Sequence, residues 1–384
     1  MSTVSIIECD TYEIGHVHRA VVAALEPLGG IGAFVAPGQR VLLKPNLLAP
    51  VPFEWAITTH PAVVEAMVGL VQEVGGVPFI ADSPAGPFHT GVGMPRLYKN
   101  TGLQEVAKRT GVALRHGTAA VQVPIPDGVL LKRLDLLKVW QESDVVISLP
   151  KFKTHGFAFI SGAVKNLFGL VPGMAKSGYH SKLADIDRFC DMLLDIVACV
   201  RPALSVMDGI VGIEGNGPGL HGKRRDIGVL LASPNAVALD AIMCQIIRAD
   251  PNDLALFRAA ERRGWWPVEV GVKGTPLEEV TMPDFLHPVS RRAAESARGR
   301  SRLSRFLTHA LIPYPVPRDE RCTACGTCVR MCPREAITIE DDLAVVDYDR
   351  CIRCYCCHEV CPEAAIDLQF SWVGKLLRQT GLLG

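Results

Sequence analysis

Asp144-Val-Val-Ile-Ser-Leu149 runs directly into Pro150-Lys151-Phe152-Lys153-Thr154-His155, and this passage decides the fold of the larger part of the chain. A short, nearly unbroken apolar run with polar ends reads as a strand buried on both faces, as parallel sheets require. The proline then breaks the run. Two lysines and a histidine follow where a ligand-facing loop belongs, beyond the carboxyl end of the strand.

The same pattern recurs on either side. Residues 41–43 and 77–81 read as buried strands ending at Lys44-Pro45-Asn46 and Asp82-Ser83-Pro84, and residues 204–207 as a strand ending at Asp208-Gly209. Strand-like pieces surround 121–125, 129–131, 226–232 and 268–272. Between them, residues 16–28, 61–74, 103–110, 185–200, 235–248 and 253–263 carry helical spacing, with Gly29-Gly30 and Gly75-Gly76 as stops and Pro61 in a first turn. Residues 86–93 read as a Gly- and Pro-rich loop. Strands alternating with helices predict an α/β body over residues 1–283, a mainly parallel sheet with helices on both faces.

A second architecture begins near the C-terminus. Cys322-Thr-Ala-Cys325-Gly-Thr-Cys328-Val-Arg-Met-Cys332-Pro333 has the spacing C-x2-C-x2-C-x3-C-P, and it returns through Cys351, Cys354, Cys357, Cys361 and Pro362 at a constant offset of 29. This is the bacterial ferredoxin spacing, in which three close thiolates face one 4Fe-4S cube and the fourth reaches across to the other. It predicts a small α+β ferredoxin-like domain over residues 319–370 with two 4Fe-4S clusters. One is assigned to Cys322, Cys325, Cys328 and Cys361, the other to Cys332, Cys351, Cys354 and Cys357. Zinc also takes four-cysteine sites, but a third cysteine two residues on and a trailing Cys-Pro are foreign to that pattern. Cys356 fits neither register and reads as a packing or spare thiol.

Residues 284–318 read as a basic, Pro-ended linker, with seven Arg against one Glu between Phe285 and Arg318. Residues 371–384 form a tail with the pattern of one more amphipathic helix. Lys plus Arg equals Asp plus Glu at 40 each, so no global charge points to nucleic acid or to a membrane surface. The basic residues also lack the interleaved aromatics of a single-strand binder. Eight of thirteen cysteines stand in cluster register, which suits a reducing cytoplasm. No basic leader and no run of about eighteen apolar residues occurs, so neither a signal peptide nor a membrane span is expected.

The chemistry of the body gathers at its strand ends. From Lys151 to Ala184 the chain holds Lys151, Lys153, Lys165, Lys176 and Lys182 with no Asp or Glu, and unopposed positive charge calls for an anion. The expected binding residues are Lys44, Asn46, Asp82, Lys151, Lys153, Asn166, Asp208, Glu214 and Asn216, with His155 and Lys165 as the catalytic candidates. His60, His180 and His221 are weaker candidates, and Asp240 reads as a cap or ion-pair residue in a helix. Two near-motifs fail. Gly217-Pro-Gly219-Leu-His-Gly222 matches G-x-G-x-x-G, but a basic turn and a strand follow it, without the helix a dinucleotide site needs. Ala175-Lys176-Ser177 resembles the end of a P-loop, yet Leu170 and Ala175 stand at its glycine positions.

Lys44-Pro-Asn46, Pro150-Lys151-Phe-Lys153-Thr-His155, Val164-Lys165-Asn166-Leu-Phe-Gly169, Asp208-Gly-Ile-Val-Gly and Glu214-Gly-Asn216-Gly-Pro218 together resemble the domain of unknown function 362. The ferredoxin-like end matches a common architecture of that family. Pro234-Asn235 departs from it, where the family more often carries Asp before the helix. The resemblance implies an iron-sulfur protein with an α/β body and no single assigned reaction. From the residues, the expectation is a redox enzyme that passes electrons from two clusters to an anionic small molecule in the α/β crevice, supplied by a redox partner protein. The alternative is a non-catalytic electron-transfer or accessory protein that docks a partner enzyme through the large domain or the basic linker, at Arg291, Arg292, Arg298 and Arg300.

Overall fold

A computed structural model describes residues 2–85, 88, 90, 93–183, 185–289 and 312–379. The basic cluster Arg291, Arg292, Arg298 and Arg300 lies outside the described residues. The body begins with β1 (Ser2–Glu8), α1 (Ile14–Leu25), β2 (Arg40–Pro45), α2 (Pro61–Glu73) and β3 (Val77–Ile80). It continues through α3 (Gly93–Asn100), α4 (Leu103–Thr110), β4 (Ala113–Leu114), β5 (Ala120–Pro124), β6 (Arg133–Leu137) and β7 (Val145–Leu149). Then come β8 (Lys151–His155), β9 (Phe159–Ile160), α5 (Ala163–Asn166), α6 (Gly173–Lys182) and α7 (Ile186–Val200). It closes with β10 (Leu204–Gly215), β11 (Gly222–Ser233), α8 (Ala236–Ile246), α9 (Ala255–Glu261) and β12 (Val270–Gly274).

The main sheet has the order β12-β1-β11-β10-β7-β2-β3-β4. Along this path only β11 runs against its neighbours, and the remaining pairs are parallel. Alternation along each strand feeds two cores, because successive side chains point to opposite faces. Val41 and Leu43 pack with Val21 of α1 and Val63 and Met67 of α2. Leu42 packs on the other face with Phe189 and Leu193 of α7, Leu239 of α8 and Phe257 of α9. The sheet is therefore mainly parallel with helices on both faces. Asp185 caps α7 through a bond from the Arg188 amide. Asn235 caps α8, its Oδ1 accepting from Val237 and Ala238 at 3.0 and 3.1 Å; an amide oxygen suffices where the family pattern has an acid.

Two sequence expectations change. Residues 151–155 are strand β8, not a loop: Pro150 lacks an N–H, yet its carbonyl accepts from Asp208 at 2.9 Å and the chain resumes parallel to β10. Residues 129–131 are not a strand, because their amides bond to the buried carboxylate of Asp195 at 2.7 to 2.9 Å. The partner of β5 is β6 instead.

The small domain contains β13 (Tyr314–Pro317), α10 (Thr327–Met331), β14 (Ile337–Glu340), β15 (Leu343–Val346), α11 (Cys356–Val360) and β16 (Ile366–Gln369), followed by α12 (Trp372–Gln379). Each cysteine repeat thus supplies a loop, a short helix and a strand. The domain seats on the 215–222 turn of the body. A Cβ on Gly219 would lie 2.7 Å from the Glu359 carbonyl. His221 stacks on His358 with ring centroids 3.8 Å apart, and His358 Nε2 lies 3.2 Å from the Asn216 carbonyl. The glycine-rich stretch that resembled a dinucleotide fingerprint is a docking turn. Among the described residues no helix is long and apolar enough to cross a membrane.

Candidate functional site

The cysteines divide between two cavities. Cys322, Cys325, Cys328 and Cys361 line one, and Cys332, Cys351, Cys354 and Cys357 line the other. Around each, the walls are largely apolar, with Ala344 and Ile366 in the first and Ala336 and Ile337 in the second. The two crossing thiols receive matching backbone donors: Ala336 N–H bonds to Cys332 Sγ and Ala365 N–H to Cys361 Sγ, both at 3.2 Å. Such donors stabilise thiolates that carry cluster charge. The quartets are spread around cavity walls, and among the described residues no three His, Cys, Asp or Glu side chains converge as around a single metal ion.

A third cavity, about 660 Å³ of empty space including its mouth, opens where the body meets the small domain. Lys44, Asn46, Lys153, Lys165 and Asn166 line it from the body, and Met331, Cys356, Glu359 and Val360 from the small domain. Its polar groups fall into two classes. Some are fully spoken for: Lys44 Nζ donates to Asp82 Oδ1 at 2.8 Å and to the Pro45 carbonyl at 2.9 Å. Asp82 also accepts from the amides of Leu47 and Ser83. Lys153 Nζ donates to Asn46 Oδ1 at 2.6 Å and to the Ile57 carbonyl at 2.7 Å, and Asn46 in turn donates to Asn166. Gly169 makes this packing possible, since a Cβ there would overlap Asp82 Oδ1 and Lys44 Nζ. Asp240 of α8 fixes the start of α5 by accepting from Ala163 at 2.5 Å and Val164 at 3.0 Å, which orients Lys165.

The others are not spoken for. Among the described residues, the buried atoms Ser83 Oγ, His180 Nδ1 and Glu359 Oε1 have no hydrogen-bond partner, and all three residues line this crevice. Nor does the Lys165 ammonium form a hydrogen bond or ion pair among the described residues. His155 Nε2 lies 3.1 Å from Glu359 Oε1, but their orientation makes no hydrogen bond and leaves both atoms unsatisfied. His155 Nδ1 accepts from the Phe157 and Ala158 amides at 3.0 and 3.1 Å, so its proton resides on Nε2. Lys176 Nζ donates to the Ser83 carbonyl and lies 5.8 Å from the centroid of the Phe168 ring.

Burial dominates the electrostatics of this cavity. It pushes Lys165 below the ordinary lysine range, with Glu359 opposing, and pushes Lys153 further down, helped by Lys165 and Lys151. Lys176 falls to about 7 and His180 to about 3, both from burial first. Burial lifts the Glu359 carboxyl to about 7 against the pull of Lys165 and Lys153. The lysine and Glu359 shifts report charges that the protein holds at a cost and that a bound anion, or a donor to Glu359, would relieve, whereas His180 is held neutral.

The structure therefore gathers Lys44, Asn46, Asp82, Lys153, Lys165 and Asn166 in one crevice, with His155 just behind Glu359. It does not gather the rest. Lys151 pairs with Asp208 at 2.7 Å and with Tyr12 at 2.8 Å, in a closed cluster where Tyr12 stacks on His60. Glu214 and Asn216 accept from the amides of Leu286 and Val289 and so hold the start of the linker. Lys182 is exposed. Glu359 and Cys356 were missed as crevice residues. The signal available was the mismatch of the two repeats, Thr327 and Arg330 standing where Cys356 and Glu359 recur.

Residues 41–245 match the family described as domain of unknown function (DUF362), and residues 321–365 match the 4Fe-4S dicluster domain. A thylakoid-associated protein of Synechocystis sp. is 39% identical over 302 residues, covering 74% of this chain and 91% of that protein. Among solved structures, the lactate racemase apoprotein from Thermoanaerobacterium thermosaccharolyticum aligns with a TM-score of 0.42 at 12% identity, over 64% of this chain and 56% of that one. A Thermotoga maritima protein aligns at a TM-score of 0.30 and 13% identity, over 54% and 52%. The chain thus spans little more than half the length of either solved structure.

Proposed function

The chain belongs to the DUF362 family and carries a 4Fe-4S dicluster domain, and on that footing we propose that it is an iron-sulfur oxidoreductase that reduces an anionic small molecule. Its substrate site is the crevice between body and cluster domain. The observation that carries this reading is that three buried polar atoms lining it, Ser83 Oγ, His180 Nδ1 and Glu359 Oε1, have no partner among the described residues, and that burial holds the neighbouring Lys165 below the ordinary lysine range. A buried polar group left unsatisfied costs about 1–3 kcal/mol, so several in one cavity mark a place completed by a ligand.

The residues divide the work. Lys165 and Lys176 bind the anionic group, and Lys153 adds positive potential from within its bonds to Asn46 and Ile57. Asn46, Asn166 and the Lys44–Asp82 pair form the rigid wall behind them. Glu359 and Ser83 orient a donor group of the ligand. His155, a neutral imidazole with its proton on Nε2, lies against Glu359 and helps to position that carboxyl toward the ligand. Cys322, Cys325, Cys328 and Cys361, and Cys332, Cys351, Cys354 and Cys357, would hold two 4Fe-4S clusters, which would supply single electrons received from a redox partner protein in the cytoplasm.

Titration of inorganic phosphate and of small mono- and dicarboxylates into the anaerobically purified, cluster-loaded protein tests the site. Saturable binding is expected, lost in Lys165→Gln and kept in Lys182→Gln. Equal affinity in both variants, or no saturable anion, refutes the site.

The thylakoid-associated relative favours a second reading. In it the chain is an electron-transfer or accessory protein, docking a partner enzyme through the large domain or the basic linker. Neutralising Arg291, Arg292, Arg298 and Arg300 would then abolish partner reduction with cluster content intact, whereas the first reading predicts unchanged anion binding in that variant.

A further inference from the structure

The two halves of the cysteine repeat face different surroundings. Thr327, Val329 and Arg330 of the first half stand where the second has Cys356, His358 and Glu359. The second set turns to the body: His358 meets Asn216 and His221, Glu359 meets His155, and Cys356 lines the crevice. Cys356 also lines the cavity of Cys332, Cys351, Cys354 and Cys357, so one side chain forms a wall common to both. The cavity of Cys322, Cys325, Cys328 and Cys361 shares no lining residue with the crevice among the described residues. It is bordered instead by the exposed Cys325 and by Ile339, 38% exposed.

Resting on the two-cluster reading above, we propose that Cys332, Cys351, Cys354 and Cys357 seat an inner cluster that exchanges electrons with the crevice across Cys356. Cys322, Cys325, Cys328 and Cys361 seat an outer cluster that receives electrons from an external one-electron donor protein. Each electron leaves the donor, then the outer cluster, then the inner one, and reduces the crevice ligand, so every centre loses the electron that its successor gains. Electron tunnelling weakens steeply with distance, which makes the shared wall decisive. Cluster potentials follow local charge and exposure. The unpaired Lys165 stabilises the more negative, reduced state of the inner cluster, and the gradient runs inward.

A redox titration of the full, cluster-loaded chain, followed by electron paramagnetic resonance, tests this without any substrate. Cys354→Ser and Cys325→Ser each alter one of the two signals and so identify them. Lys165→Glu is expected to lower the midpoint of the signal that Cys354→Ser alters and to leave the other in place. Glu359→Gln, a milder change, is expected to raise the same midpoint. A shift of the Cys325→Ser signal instead, or of neither signal in both variants, overturns the assignment. A chain carrying one cluster rather than two, roughly four irons rather than eight, overturns the two-cluster reading along with it. Failure of anion binding leaves the assignment standing.

Discussion

Two buried lysines of one crevice should respond in opposite directions to the same substitution. Lys44 and Asp82 form a pair with 0% and 2% side-chain exposure. Lys44→Met leaves that carboxylate with the Leu47 and Ser83 amides alone, and breaking one partner of a buried pair costs about 3–5 kcal/mol. Lys165 has no hydrogen-bonded carboxylate to abandon, and Glu359, which favours its charge, makes no bond to it. Its ammonium is held against burial without a bond, and because it is partly open to the crevice the penalty belongs at the low end of the range for unsatisfied groups, about 1 kcal/mol. Lys165→Met keeps the packing of the stem and removes that penalty, so the variant should be more stable by about that amount. At no more than about 2 °C per kcal/mol for a chain of this size, Lys44→Met lowers the thermal midpoint by up to roughly 6–10 °C and Lys165→Met raises it by up to about 2 °C. Midpoints of the anaerobic, cluster-loaded proteins at one fixed scan rate make the comparison. Lys165→Met should also lose anion affinity about 10- to 100-fold, the worth of one charge-assisted bond. A Lys165→Met protein as unstable as Lys44→Met would show that Lys165 is a structural partner and refute the reasoning.

Two further outcomes follow from the site. Burial sets Lys176 at about 7, below its ordinary 10.5; the folded state sheds this proton before the unfolded chain does, so stability from this group rises with pH between about 7 and 10.5. An anion needs the charged form, so affinity for an anion of fixed charge should fall as pH rises through 7, and in Lys176→Arg that fall should shrink to the share that ionisation of Glu359 contributes. At the docking turn, Gly219→Val places a side chain against the Glu359 carbonyl and should unseat the cluster domain. Limited proteolysis should then cleave between body and domain faster than in the parent, with iron content unchanged.

The cysteine repeat was legible because its spacing is itself the ligand pattern of a 4Fe-4S dicluster domain, which residues 321–365 match. The parallel sheet was legible from residues 41–43, 77–81 and 144–149, whose short apolar runs, bounded by breakers and polar ends, suit strands buried on both faces. β8 was not, since Lys151, Lys153 and His155 alternate at strand spacing but put charges where hydrophobicity marks a strand, and Pro150 mimics a stop. Lys165 could be nominated from an acid-free run. The sequence could not show that Lys151 is quenched by Asp208, 57 residues away, or that Glu359 enters from another domain, because ion pairing between distant positions leaves no local pattern. Glu214 and Asn216 sit on a glycine-rich loop that resembles a binding loop. Their partners are backbone amides of the linker.

The central claim is that the crevice beside Lys165 receives both an anion and the electrons of the clusters. Anaerobic mixing of the dithionite-reduced protein with the anion that binds most tightly, followed through the cluster absorbance, addresses it directly. Reoxidation should saturate with anion concentration at the affinity found in binding, and in Lys165→Met, with both clusters present, should need about 10- to 100-fold more anion. Reoxidation at the parent's anion concentrations in that variant, or none with any anion that binds, would contradict it.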